Sequence, residues 1–164
     1  MPQITEQTIC CFNGDTIHDL DLWSLLRAHA QDAPAATIVV NRSSDQPNSL
    51  AIAVNPNGRV AWFREKERRE GVALDFPADH TARSNSGVYV FDRTRLLADW
   101  PVSLQVGRME DGLIPHLCSQ NAVAAFENGE NLLIDIGTPE RLALARALGE
   151  PVQRLFRSPD KLSS

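Results

Sequence analysis

An α/β fold is what the sequence predicts, and three observations predict it. Short apolar or β-branched runs recur at residues 8–12, 36–40, 87–91 and 132–136. Capped segments with helical spacing begin at Asp21 and Thr138. The two kinds of signal intermix along the chain instead of segregating. At 164 residues the chain is long enough for one domain with a sound core.

Residues 8–12, Thr-Ile-Cys-Cys-Phe, read as a short buried strand that ends in the turn Asn13-Gly14-Asp15. Asp21 caps a helix through about residue 30, with Leu22, Leu25 and Leu26 on one face. Residues 36–40 form a β-branched strand. Residues 50–54 and 59–63 flank Asn55-Pro56-Asn57-Gly58, and the Asn-Gly pair signals a hairpin. Gly-Val-Tyr-Val-Phe at 87–91 is another strand, and 93–98 a helical turn before Trp100-Pro101. Residues 104–117 carry a helical pattern that Gly107, Gly112 and Pro115 weaken. Strands at 122–126 and 132–136 flank a polar turn. In the last helix Thr138 is the N-cap, Pro139 suits the first position and Glu140 suits the positive end of the dipole. Gly149 and Pro151 stop it. The expected organisation is a single domain over residues 1–157 and a disordered tail at 158–164.

The composition, 43% hydrophobic and 23% charged, is that of an ordinary globular protein. A net charge of −5 argues against general nucleic-acid binding, which needs a positive field. The apolar runs are too short to span a bilayer, and the N-terminal residues have neither a basic nor an apolar targeting region. Three cysteines, Cys10, Cys11 and Cys118, without framework spacing suit a reducing cytoplasm. The adjacent pair reads as two small buried hydrophobes. His18, His29, His80 and His116 show no paired ligand spacing, and His18 reads as an exposed loop residue. No nucleophile elbow is present.

Two carboxylates stand out. Asp15 and Asp135 each end a strand, far apart in sequence, and such a pair can hold one divalent metal over a nucleotide. Asp15 after Gly14 also reads simply as a turn residue. Asp135 lies between Ile134 and Ile136, where an unpaired carboxylate is costly to bury; a metal or a local helix N-terminus could satisfy it. Glu65 and Lys66 lie in the charged run 64–70, which on its own reads as a solvated strand end.

Four segments occur in a fixed order: Asn13-Gly14-Asp15, Gly58 through Lys66, Asn85-Ser86-Gly87-Val88-Tyr89, and Ile134 through Glu140. Together they resemble the sugar-1-phosphate nucleotidyltransferases, with mannose-1-phosphate and heptose-1-phosphate guanylyltransferases the nearest in flavour. The resemblance covers about residues 8–148. It implies a Rossmann-like nucleotide-diphospho-sugar transferase fold, of which this chain is the C-terminal portion, with a mixed sheet flanked by helices. It implies transfer of a nucleotidyl group, from GTP by the nearest flavour, to a sugar 1-phosphate with release of pyrophosphate. Asp15 and Asp135 would be the Mg2+ ligands and catalytic carboxylates. Glu65 would accept hydrogen bonds from sugar hydroxyls, Lys66 would approach the sugar phosphate, Asn85 would add a polar contact, and Gly87 would let the backbone come close.

The sequence also departs from this family. The glycine-rich loop of the form Gly-Gly-x-Gly-Thr-Arg, whose amides would hold the triphosphate, has no counterpart among the nine scattered glycines. Ser49 and Leu50 replace a Tyr-Gly pair, Leu133 replaces an aromatic residue, and Ser103-Leu104-Gln105 replaces Ser-Leu-Glu. Without the nucleotide-binding part the strand at 8–12 becomes a sheet edge, which invites a partner chain or self-association. The alternative reading is an inactive, truncated homologue acting as a binding or regulatory subunit, or a gene fragment.

Overall fold

The computed structural model describes residues 5–42, 51–64, 77–100, 109–129 and 131–149. They group into two compact units. One takes the chain up to Phe12 and from Asp21 to Gly129; the other takes Asn13–Leu20 and the chain from Asn131 onward. Glu65, Lys66, Ser49, Leu50, the segment 103–105 and the tail at 158–164 lie outside the described residues.

The first unit is a mixed six-stranded sheet flanked by helices. Its strands are β1 (Thr8–Phe12), β3 (Ala36–Arg42), β4 (Ala51–Val54), β5 (Val60–Arg64), β6 (Thr81–Asp92) and β7 (Val123–Glu127). The order is β5-β4-β6-β3-β7, with β1 also beside β6. Strand β6 is the longest. One of its edges pairs with β3 from Ala36↔Phe91 to Arg42↔Arg83. Its other edge is divided: β4 takes Thr81–Ser84 and β1 takes Val88–Asp92, both antiparallel. Among the described residues only β3 and β7 run parallel, from Ala36↔Val123 to Val40↔Glu127.

Local chemistry fixes these elements. The β4–β5 hairpin turns on Asn55, whose side-chain oxygen accepts the N–H groups of Asn57 and Arg59, both at 3.0 Å. Helix α1 (Leu22–Asp32) starts at Asp21, whose carboxylate accepts the Ser24 N–H at 3.1 Å. Its sheet-facing residues are Leu25 and His29; Leu22 is exposed, as is Trp23, so the expected leucine stripe is narrower than its spacing implied. Helix α2 (Arg93–Ala98) is capped by Asp92. Helix α3 (Leu113–Ser119) begins only after Gly112, and Pro115 falls within its first turn, where a missing N–H costs little. Ile38, Val40, Tyr89 and Phe91 form a continuous core with Ile114 and Leu117 of α3.

Strand β1 follows the period-2 rule on one side only. Ile9 and Cys11 pack against the core, while Thr8, Cys10 and Phe12 alternate outward and Phe12 is 49% exposed. The reading of Cys10 and Cys11 as a buried pair is therefore corrected: Cys10 is exposed, Cys11 half-buried and Cys118 buried. The cause is alternation: successive side chains of a strand point to opposite faces, so Cys11 turns with Ile9 toward the core and Cys10 turns with Thr8 and Phe12 away from it.

The second unit is small. Strand β2 (Thr16–His18) pairs antiparallel with β8 (Leu133–Asp135), setting Thr16 opposite Asp135. Helix α4 (Pro139–Ala147) follows, with Thr138 as N-cap accepting the Arg141 N–H at 3.3 Å. His18 ends β2 and is half-buried, so it is not the exposed loop residue expected.

Buried His29 places its Nδ1 2.8 Å from the Thr37 hydroxyl. Burial pushes its imidazole below the ordinary 6.5, although Asp92 and Asp32 pull the other way. The sign follows from linkage. Above the ordinary value both native and unfolded chains hold a neutral imidazole. As pH falls through it, the unfolded chain gains a proton that native His29 refuses, so stability drops until the native value is reached. Urea midpoints are expected to fall between pH 7.5 and pH 5.5, and to fall less in His29→Asn.

Candidate functional site

The two aspartates singled out from the sequence lie together in the second unit. Asp15 precedes β2 and Asp135 ends β8; the Asp15 carbonyl accepts the Ile136 N–H at 2.7 Å, closing the two-stranded ladder one step beyond Thr16↔Asp135. Both carboxylates turn to the same spot above Gly137. A Cβ added there would sit 2.9 Å from Asp15 Oδ2 and 3.1 Å from Asp135 Oδ1. A side chain at 137 would press on the carboxylate of Asp15 and crowd that of Asp135, so glycine lets both acids keep these positions.

Asp135 is held on both oxygens. Oδ1 accepts the Gly137 N–H at 2.8 Å, and Oδ2 takes the guanidinium of Arg141 from the first turn of α4. Asp15 Oδ1 accepts the Thr16 hydroxyl at 3.4 Å. The expectation that Asp135 is buried between two isoleucines is corrected. Ile134 is buried, but alternation turns Asp135 to the exposed side. Among the described residues no third histidine, cysteine or carboxylate joins this pair as a metal-binding cluster. Arg141 was missed in the sequence reading; the available signal was a cation in a helix first turn, where acidic residues are favoured.

Asn85 and Gly87 belong to the first unit, in the middle of β6. Between Ile38↔Tyr89 and Val40↔Asn85 two steps of β3 face four of β6. Gly87 absorbs the bulge with φ +71°, a conformation that side chains resist. Asn85 repairs the ladder: its Oδ1 accepts the Gly87 N–H at 3.1 Å, while its Nδ2 donates to the Tyr89 hydroxyl at 2.6 Å. The Tyr89 O–H donates to Glu110 at 3.3 Å. Burial drives the Tyr89 phenol well above its ordinary value, so it stays protonated and can donate. Ser86 is buried, and its hydroxyl has no partner among the described residues. The motif Asn-Ser-Gly-Val-Tyr therefore encodes a braced bulge, with the asparagine amide oriented by Gly87 and Tyr89.

Tyr89→Phe is expected to cost about 1 kcal/mol in urea denaturation, the net worth of a partly buried hydrogen bond. Adding Asn85→Ala to it should cost less than Asn85→Ala does in the wild type, because the two groups share that bond.

These features can be set against known proteins. HddC from Yersinia pseudotuberculosis has a similar solved structure, with a TM-score of 0.62 and 20% identity over 86% of this chain. The chain spans 55% of the length of that protein. The likeness shows the fold: a Rossmann-like α/β arrangement of the nucleotide-diphospho-sugar transferase kind. No curated protein matches the sequence. The family model for nucleotidyl transferases matches residues 3–148, which takes in both aspartates and the braced bulge, and the chain belongs to the nucleotidyl transferase family.

Proposed function

We propose that this chain provides the divalent-cation and sugar-phosphate portion of a nucleotidyltransferase. The reaction is transfer of a nucleotidyl group, from GTP, to a mannose- or heptose-like sugar 1-phosphate with release of pyrophosphate, in nucleotide-sugar biosynthesis. The observation that carries the reading is the convergence of Asp15 and Asp135 on the space above Gly137. Two hard carboxylate oxygens in a recess that a Cβ would fill suit Mg2+, which takes one or two carboxylates and completes its shell with water and substrate phosphates. Asp15 and Asp135 would hold it. When bound, Mg2+ supplies positive charge against the crowded phosphates.

The protein's own part is positioning. The Gly137 N–H orients Asp135. Asn85, fixed by Tyr89 and Gly87, offers a preorganised amide for a sugar hydroxyl, with no rotamer entropy left to lose. Glu65 and Lys66 keep the roles that the family resemblance assigns: acceptor for the sugar and point charge for its phosphate. The three free thiols fit a reducing, cytoplasmic setting.

A glycine-rich phosphate loop is absent from these residues, so the triphosphate needs a cradle from elsewhere. The β1 edge, with exposed Cys10 and Phe12, is where a further strand would add. A partner chain carrying that loop, or a self-associated form, fits this edge. The same edge also favours a second reading, a non-catalytic binding or regulatory subunit.

Pyrophosphate release by the purified chain, with Mg2+ and GTP against mannose and heptose 1-phosphates, separates the two. In whichever setting release appears, its abolition by Asp135→Asn is the expected result; release unchanged by that substitution would refute the site. No release from the chain alone, but release on adding a chain that carries the loop, would identify the partner. No release in either setting would leave the binding-subunit reading. Gly137→Ala is expected to lower Mg2+ affinity at least tenfold by pushing the acids apart, with circular dichroism unchanged.

A further inference from the structure

Arg141 is out of place by local rules. It occupies the first turn of α4, where the helix dipole favours acidic side chains, and three residues past an N-cap a capping box would have Glu or Gln. What holds it there is Asp135: the guanidinium sits on Oδ2, while Oδ1 remains on the side shared with Asp15 Oδ2. Two carboxylates directed at one spot repel each other, and Arg141 brings the compensating charge. We propose that Arg141 is a built-in counter-ion that competes with a divalent cation for Asp135 and so sets the threshold at which the cation is captured. The inference rests on the divalent-cation reading of Asp15 and Asp135.

The competition has a distinctive sign. In the metal-free chain Arg141 stabilises the facing acids, so its removal makes that state less comfortable. The same removal leaves a more negative recess, so a divalent cation binds more tightly. A residue that merely braces the helix or aims Asp135 would do the opposite to the cation: its loss would weaken binding along with stability.

The test is titration of Mn2+ alone into the full chain, read from the electron paramagnetic resonance of free Mn2+, with thermal melts in chelator alongside. Arg141→Gln is expected to bind Mn2+ about fivefold more tightly, the size of one exposed ion pair, with a metal-free melting temperature equal to or below that of the wild type. Arg141→Lys, which keeps the charge, should stay near wild-type affinity and serves as the second variant. Unchanged or weaker Mn2+ binding in Arg141→Gln overturns the proposal. If the wild type binds no Mn2+, or Asp135→Asn binds it as the wild type does, the cation reading fails and the proposal falls with it.

Discussion

Strand β6 is the constraint on which the first unit depends. It hydrogen-bonds on both edges, to β3 along one side and to β1 and β4 along the other. A strand so engaged cannot slip without breaking three ladders at once, so its register is strongly fixed. That rigidity is what allows a two-residue irregularity to persist at Gly87. A bulge in a loosely paired strand would anneal away. Here the side chain of Asn85 takes over the bond that the ladder loses, and Tyr89 anchors Asn85 from the core. Packing of Tyr89 against Phe91, with ring centroids 6.2 Å apart, ties the anchor to the apolar interior.

The second unit works by a different economy. It has little core of its own: Ile134 and Ala145 are its buried apolar residues among those described. Its order comes from polar geometry. A three-residue ladder, a Thr138 cap and the Asp135–Gly137 contact fix the backbone, and Arg141 offsets the charge of Asp135, one of the two acids. Exposed ion pairs are worth little individually. A cluster of this kind is accordingly sensitive to whatever charged ligand enters it, which is the property a binding site needs and a scaffold avoids.

Much of this architecture was legible in the sequence, and the physical reasons differ by element. The Asp21 and Thr138 caps, the hairpin around Asn55 and the β-branched run of β3 are local signals, and the structure bears them out. The polar half of β6, Thr81–Ser86, was illegible because no apolar alternation marks it; pairing on both edges makes it a strand. Strand β2 is three residues long and exists only through β8. Of the helical pattern expected over residues 104–117, residues 104–108 lie outside the described residues, and helix α3 begins at Leu113, after Gly112. The convergence of Asp15 with Asp135 was legible through the family order of motifs, not through spacing, and the pairing of Arg141 with Asp135 was not read at all.

The second unit is built from two segments far apart in the chain, with five of the six described strands of the first unit's sheet, β3 to β7, threaded between them. Its ladder therefore closes a very long loop, and such closure is charged to chain entropy before any contact rewards it. Strands β2 and β8 are expected to join late in folding and part early on unfolding. A ligand that engages both Asp15 and Asp135 acts on that loop as a clasp, in the manner of a reversible cross-link. It would hold together two stretches of polypeptide that have few other reasons to meet, so that occupancy of the site and integrity of the unit become one equilibrium.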